Sequence, residues 1–118
     1  VRRDTKEELI VKDSLVLKTV ENLLEKIQQN LKKKAEAYFK SFTSEARDFK
    51  TLKKILEEKG GLVRVNWCGN VECADSIKAE TNGGTIRGTL FNKKEKTFGN
   101  CVWCGKESGE VVYIAKQY

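Results

Sequence analysis

The sequence contains no histidine, no proline and no methionine, and it has no long run of apolar residues. Without histidine, the chain has no imidazole for general acid–base catalysis or for a nucleophilic triad, and any metal site must use other ligands. Without a long apolar run, no segment is predicted to cross a membrane. Because methionine is absent even at position 1, we expect the chain to be a fragment of a longer gene product.

Motifs that bind nucleotides are also absent. Neither G-x-x-x-x-G-K-[ST] nor G-x-G-x-x-G occurs. Gly83-Gly84 follows a predicted helix and is interpreted as a helix stop. The neighbouring carboxylates Glu57-Glu58 lie on a predicted exposed helix face. The sequence therefore predicts no catalytic residue in this chain.

The charge balance is basic, with a net charge of +6 and a pI near 9.2. Such a balance permits contact with RNA but does not require it, because lysine and arginine occur in both halves of the chain. We favour a solvated surface of mixed charge over an RNA footprint. A zinc-stabilised module that binds RNA through Lys93, Lys94 and Lys96, or that binds protein, stays open as the alternative function.

The four cysteines form two close pairs with different spacings. Cys68 and Cys73 form a C-x4-C pair, and Cys101 and Cys104 form a C-x2-C pair. Two short thiolate pairs joined by a long connection are typical of a tetrahedral zinc site. Four cysteine ligands leave no open position for water, so the predicted zinc is structural. Two disulfides, or a redox-active C-x2-C pair, remain as alternatives.

Apolar periodicity predicts an α+β fold. We expect a long N-terminal amphipathic helix over 15–42 and a second, shorter helix that Asp48 caps and Gly60-Gly61 end. A small three-stranded antiparallel αβ module then follows, held by a four-cysteine zinc site. Its strands are predicted at 62–67, 85–90 and 110–115, with a helix at 71–81. The predicted segments are residues 1–13, residues 14–59, which are helical, and residues 60–118, which form the zinc-binding module.

Several short motifs occur in an order that resembles a known family. They are Trp67-Cys68-Gly69, Glu72-Cys73, Ile77-Lys78, Glu80-Thr81, Thr85-Ile86-Arg87, Cys101-Val102, Cys104-Gly105-Lys106 and Tyr113-Ile114-Ala115-Lys116-Gln117-Tyr118. Together they closely resemble the C-terminal zinc-binding domain of prolyl-tRNA synthetases of the archaeal and eukaryotic type. Arg2-Arg3-Asp4-Thr5 resembles the end of the anticodon-binding domain, so residues 1–13 are expected to be that end or a linker.

The resemblance implies a parent that is a class II aminoacyl-tRNA ligase of protein biosynthesis. Such a parent attaches proline to tRNA-Pro with ATP and Mg²⁺, and it is a cytoplasmic homodimer. The family's structural zinc carries over to Cys68, Cys73, Cys101 and Cys104. The resemblance also makes Tyr118 the candidate contact with the catalytic domain. The class II motifs are absent from this chain, so the fragment alone is expected to be inactive.

One departure from the family pattern concerns proline. Many relatives carry proline near the cysteine pairs, whereas this chain has none and continues from Arg87 as Gly88-Thr89-Leu90. Because proline fixes a backbone angle, its loss affects the stiffness of the loop. The four candidate ligands are unaffected.

Overall fold

The computed structural model describes residues 1–117, and its elements confirm the α+β class. A single 3-10 turn at Asp13–Leu15 precedes the first helix. In chain order the elements are α1 (Val16–Phe42), β1 (Thr43–Glu45), α2 (Phe49–Glu58), β2 (Leu62–Trp67), α3 (Val71–Glu80), β3 (Gly84–Gly88) and β4 (Glu110–Lys116). The chain divides into two compact units, Val1–Ser41 and the part from Phe42 onward.

The first unit consists of an N-terminal turn and most of α1. Asp4 accepts hydrogen bonds from Arg2 Nη2 at 2.8 Å and from Asn30 Nδ2 at 2.7 Å, which ties the turn to the helix. Within the described chain, none of the residues of α1 is buried. Leu9-Ile10-Val11 is exposed and forms no strand. Among residues 1–117, no helix has the length and apolar character needed to cross a membrane.

The second unit is built on a four-stranded mixed sheet with the strand order β1-β2-β4-β3. The predicted three-stranded antiparallel sheet is therefore wrong in strand number and in strand direction. β2, β4 and β3 pair antiparallel, but β1 adds to the edge of β2 in the parallel direction. Thr43–Glu45 is three residues long and has no apolar alternation, so its strand conformation comes from pairing with β2.

Helix α2 covers one face of this sheet. Asp48 caps it as predicted, because its Oδ1 accepts a hydrogen bond from the Thr51 backbone N–H at 2.9 Å. Leu52 and Leu56 are buried from the helix side, and they pack with buried residues of the strands and of α3. These include Val63, Val65, Ile77, Val112 and Ile114. The core thereby fixes β2 and α3, the elements that carry the first cysteine pair.

Candidate metal centre

The first cysteine pair lies at the junction between β2 and α3. Cys68 follows the last residue of β2, and Cys73 lies in the first turn of α3. Asn70 caps that helix, since its Oδ1 accepts from the Glu72 backbone N–H at 3.0 Å. Trp67 Nε1 donates to the carbonyl of Asn70 at 3.2 Å, which fixes the connection between the two cysteines. This pair is therefore held by regular elements at both ends.

The second cysteine pair forms a tight turn. The backbone N–H of Gly105 donates to the carbonyl of Cys101 at 3.0 Å, and the N–H of Cys101 donates to the carbonyl of Lys106 at 2.8 Å. Gly105 has a φ of +69°, a conformation that glycine adopts without strain. The Val102 N–H donates to the carbonyl of Asn66 at 3.0 Å. That bond places the turn beside the end of β2.

All four sulfur atoms gather in one place, within 4.8 Å of one another. The Sγ of Cys68 lies 3.7 Å from the Sγ of Cys73 and 3.8 Å from the Sγ of Cys104. Four sulfurs that each lie about 2.3 Å from one ion at tetrahedral angles are roughly 3.8 Å apart, so these distances fit a thiolate-bound zinc. They are too long for disulfides, whose sulfurs are about 2.05 Å apart. All four cysteines are free thiols.

The redox alternative is also disfavoured by the structure. A reactive C-x2-C pair gains from a position at the first turn of a helix, whereas Cys101 and Cys104 lie in a turn closed by Gly105. The sulfur atoms of Cys101 and Cys104 lie within 4.8 Å of those of Cys68 and Cys73. Together, the two cysteine pairs are arranged to chelate one metal ion.

The thiols differ in their environments. Burial raises the pKa of Cys73 to about 12, although the thiol lies at a helix N-terminus, where the helix dipole favours a thiolate. Burial likewise raises the pKa of Cys101. The pKa of Cys104 is lowered to about 7, chiefly because the backbone N–H of Lys106 hydrogen-bonds its sulfur. Since metal binding needs thiolates, metal uptake must remove protons from the buried thiols.

Two residues near the sulfurs were missed by the sequence analysis. Asn66 is 1% exposed, and it accepts the Val102 N–H through its carbonyl and the Phe98 N–H through its Oδ1. Trp103 packs edge-to-face on Phe49 of α2, with ring centroids 4.8 Å apart. Asn66 occupies a polar position in the regular alternation of β2, so the sequence gives no signal that its side chain is buried. These contacts join the second cysteine pair to β2 and α2.

The structure thus brings together all four predicted ligands. Among residues 1–117 they are the one group of cysteine, histidine or acidic side chains placed to hold a metal ion. The prediction for Tyr118 lies outside the described residues. The predicted RNA-binding lysines Lys93, Lys94 and Lys96 lie in the loop that precedes Cys101.

Comparisons with known proteins match this chain to one family. A sequence profile described as prolyl-tRNA synthetase, C-terminal, matches residues 49–118. A proline–tRNA ligase of Thermofilum pendens is 36% identical over 117 residues, which are 99% of this chain and 24% of the relative. The proline–tRNA ligase of Oceanobacillus iheyensis is 39% identical over 118 residues, which are 100% of this chain and 24% of the relative.

A solved structure has the same fold. The crystal structure of the prolyl-tRNA synthetase of Cryptosporidium parvum with L-proline and AMP matches with a TM-score of 0.83 and 26% sequence identity. The match covers 100% of this chain and 25% of that chain. The chain therefore spans about a quarter of the length of the relatives it matches.

Proposed function

The chain belongs to the family of prolyl-tRNA synthetase C-terminal domains, and from that premise we propose that it is the zinc-stabilised accessory domain of a prolyl-tRNA synthetase. In this proposal it supports the catalytic domain of the parent and carries out no reaction itself. The extent of the match supports this role over a stand-alone module, because the chain corresponds to a quarter of each relative.

The observation that carries the proposal is the convergence of the four sulfurs. We propose that Cys68, Cys73, Cys101 and Cys104 bind one structural zinc ion, supported by their mutual distances of at most 4.8 Å. A full set of four thiolates leaves no site for substrate or water, so the ion serves folding. The zinc links β2, α3 and the turn before β4, which are otherwise joined by backbone hydrogen bonds and a small core.

Several finer points of the proposal concern the parent. We propose a homodimeric cytoplasmic ligase of the archaeal and eukaryotic type that attaches proline to tRNA-Pro with ATP and Mg²⁺. Within this chain, residues 1–13 would be the end of an anticodon-binding domain or a linker, residues 14–59 the helical segment, and residues 60–118 the zinc-binding module. Tyr118 is the proposed contact with the catalytic domain.

Proline-dependent exchange of pyrophosphate into ATP tests whether catalysis belongs to the parent and not to this chain. We expect background activity for the 118-residue chain, because it lacks the class II motifs. The full-length ligase of Thermofilum pendens serves as the active control. Robust exchange by the isolated chain would overturn its assignment as an accessory domain.

A further inference from the structure

Residues 89–100, which we call the lysine loop, connect β3 to the second cysteine pair. Phe91 is 98% exposed, although burial of a phenylalanine side chain is favourable by about 2 kcal/mol. Lys93, Lys94 and Lys96 are exposed around it. An exposed aromatic ring among cations is unusual on a surface whose only role is to be solvated.

The lysine loop is anchored through its single acidic residue. Glu95 Oε1 accepts a hydrogen bond from Arg64 Nε at 2.8 Å, and Glu95 Oε2 accepts one from the Tyr113 hydroxyl at 2.9 Å. The Glu95 side chain is 13% exposed, so these bonds hold it against strands β2 and β4. The acidic residue is thus directed towards the sheet, while its lysine neighbours are exposed.

A second anchor lies three residues further along. The Arg64 guanidinium stacks over the ring of Phe98 at 4.4 Å from its centroid. The Phe98 backbone N–H donates to Oδ1 of the buried Asn66 at 3.0 Å. Two fixed points at Glu95 and Phe98 therefore restrict the conformations of the lysine loop, which lowers the entropy that binding must remove.

The tip of the lysine loop carries three positive charges, on Lys93, Lys94 and Lys96. Within residues 1–117, no carboxylate lies within ion-pair distance of Lys93, Lys94 or Lys96. Glu110 lines the same depression as Lys93 and Lys94 without pairing with either. Glu95 is ion-paired with Arg64, whose guanidinium also pairs with Glu45. The three exposed lysines outnumber the single acidic residue of the lysine loop, so its outward surface is cationic.

We propose that the lysine loop is a binding surface for single-stranded RNA. In this proposal the face of Phe91 stacks on an unpaired base, and Lys93, Lys94 and Lys96 contact the adjacent phosphates. An exposed aromatic ring distinguishes this surface from a general cationic patch, because stacking requires a planar partner. Bases in a duplex are already stacked on each other, so an unpaired segment is the form of RNA that fits.

The proposal is tested by fluorescence anisotropy with a labelled single-stranded RNA of about 12 nucleotides and the full 118-residue chain. Three phosphate contacts predict a slope of log affinity against log salt of about −2. We expect the binding constant to fall roughly 20-fold between about 50 and about 200 mM salt. No binding at the lower salt concentration would overturn the proposal.

Variants separate stacking from charge. We expect Phe91→Ala to weaken binding roughly tenfold, the effect of losing one stacked base, and Phe91→Trp to retain it. Replacing Lys93, Lys94 and Lys96 with Gln should flatten the salt dependence. The matched control replaces three exposed lysines of α1 with Gln, removes the same charge and should leave most of the binding; these are Lys26, Lys32 and Lys33.

Two results would contradict the assignment. Equal losses for the two triple-lysine variants would show that net charge alone drives binding. A Phe91→Ala variant that binds RNA as the unchanged chain does, while both chains bind polyglutamate equally well, would indicate an acidic protein surface as the partner. Because these assays concern the lysine loop only, their failure leaves the accessory role untouched, and background pyrophosphate exchange still tests that role separately.

Discussion

At the scale of single residues, burial separates the four cysteines into two kinds. Cys73 and Cys101 are buried, whereas Cys104 is exposed and Cys68 is partly exposed. A buried thiol without a bound metal has no water to solvate its thiolate, and its raised pKa follows from that. The buried ligands are therefore the ones whose replacement is expected to disturb the fold most.

Replacing Cys73 with serine tests this expectation. The Cys73→Ser variant should bind zinc more than about 100-fold more weakly, a larger loss than substitutions beyond the ligands cause. A competition titration with a chromophoric chelator measures the affinity. Ser76→Ala on the same helix is the control, since Ser76 only donates to the carbonyl of Glu72 at 2.8 Å. Equal affinities for the two variants would remove Cys73 from the ligand set.

Leu52 is the residue that tests the core under α2. Its side chain is 0% exposed and contacts the apolar cluster on the sheet. Leu52→Ala should lower the free energy of unfolding by about 3 kcal/mol, because it removes buried methyl groups and leaves a cavity. Urea denaturation measures the change, and the exposed Lys54→Ala should stay within about 0.5 kcal/mol of the unchanged chain. A change in unfolding free energy for Leu52→Ala as small as that for Lys54→Ala would contradict the burial of Leu52 under α2.

Tyr113 gives a pH dependence of defined sign. Burial, and secondarily its hydrogen bond to Glu95, raises the pKa of this phenol above its usual value. Between about pH 10 and the higher folded pKa, the unfolded chain loses the phenolic proton and the folded chain keeps it. The contribution to stability is therefore complete below about pH 10 and is lost as the pH rises through the folded pKa.

We expect the Tyr113→Phe variant to lack the part of the pH dependence that comes from the phenol. The free energy of unfolding of the unchanged chain should fall above about pH 10 more steeply than that of the variant, by at most about 1.4 kcal/mol per pH unit. Urea denaturation at a series of pH values measures both slopes. Parallel slopes would mean that the phenol is not the group that titrates.

At the scale of elements, the link between α2 and β2 depends on two glycines with different surroundings. Gly60 and Gly61 both have positive φ angles, of +68° and +80°. A Cβ on Gly60 would meet open space, whereas a Cβ on Gly61 would collide with the carbonyl oxygen of Phe42. The close approach at Gly61 is what permits β1 to lie beside β2.

The two alanine variants should therefore differ. Gly60→Ala should cost roughly 1 kcal/mol of unfolding free energy, the usual penalty for an alanine at positive φ. Gly61→Ala should cost about 2 kcal/mol more, because the backbone must also move away from the added methyl group. Thermal or urea unfolding of the pair measures the difference. Equal losses of unfolding free energy for the two variants would show that β1 tolerates a wider separation from β2.

The elements that could be predicted from sequence carry local signals. Helix α2 was predicted because Asp48 supplies a cap, its apolar residues repeat at helical spacing and two glycines end it. Strands β2 and β4 were predicted from β-branched residues. The close pairing of cysteines predicted that the sulfurs would converge, since short spacings place two ligands on one turn.

The elements that could not be predicted depend on distant partners. β1 has three polar residues, and its strand conformation exists because Leu62 to Arg64 pair with it. The anchoring of the lysine loop depends on Arg64 and Tyr113, which lie 31 and 18 residues from Glu95 in sequence. No local pattern reveals such pairs. Asn66 was missed for the same reason, since its hydrogen-bonding partners are in the later loop.

At the scale of the whole chain, the described structure has a small core for its length. The first unit buries no residue of α1 within residues 1–117, and the buried cluster of the second unit holds nine residues. Small cores seldom supply enough stability alone, and a bound metal is one of the usual additions. We therefore propose that one zinc ion bound by the four cysteines stabilises the second unit.

A metal count combined with chelation tests whether zinc stabilises this unit. Zinc is measured by plasma mass spectrometry on the purified 118-residue chain, and thermal unfolding is followed by circular dichroism with and without a strong chelator. We expect one zinc ion per chain and loss of the cooperative unfolding transition when the ion is removed. A chain that contains no bound metal and unfolds at the same temperature with chelator would contradict this proposal.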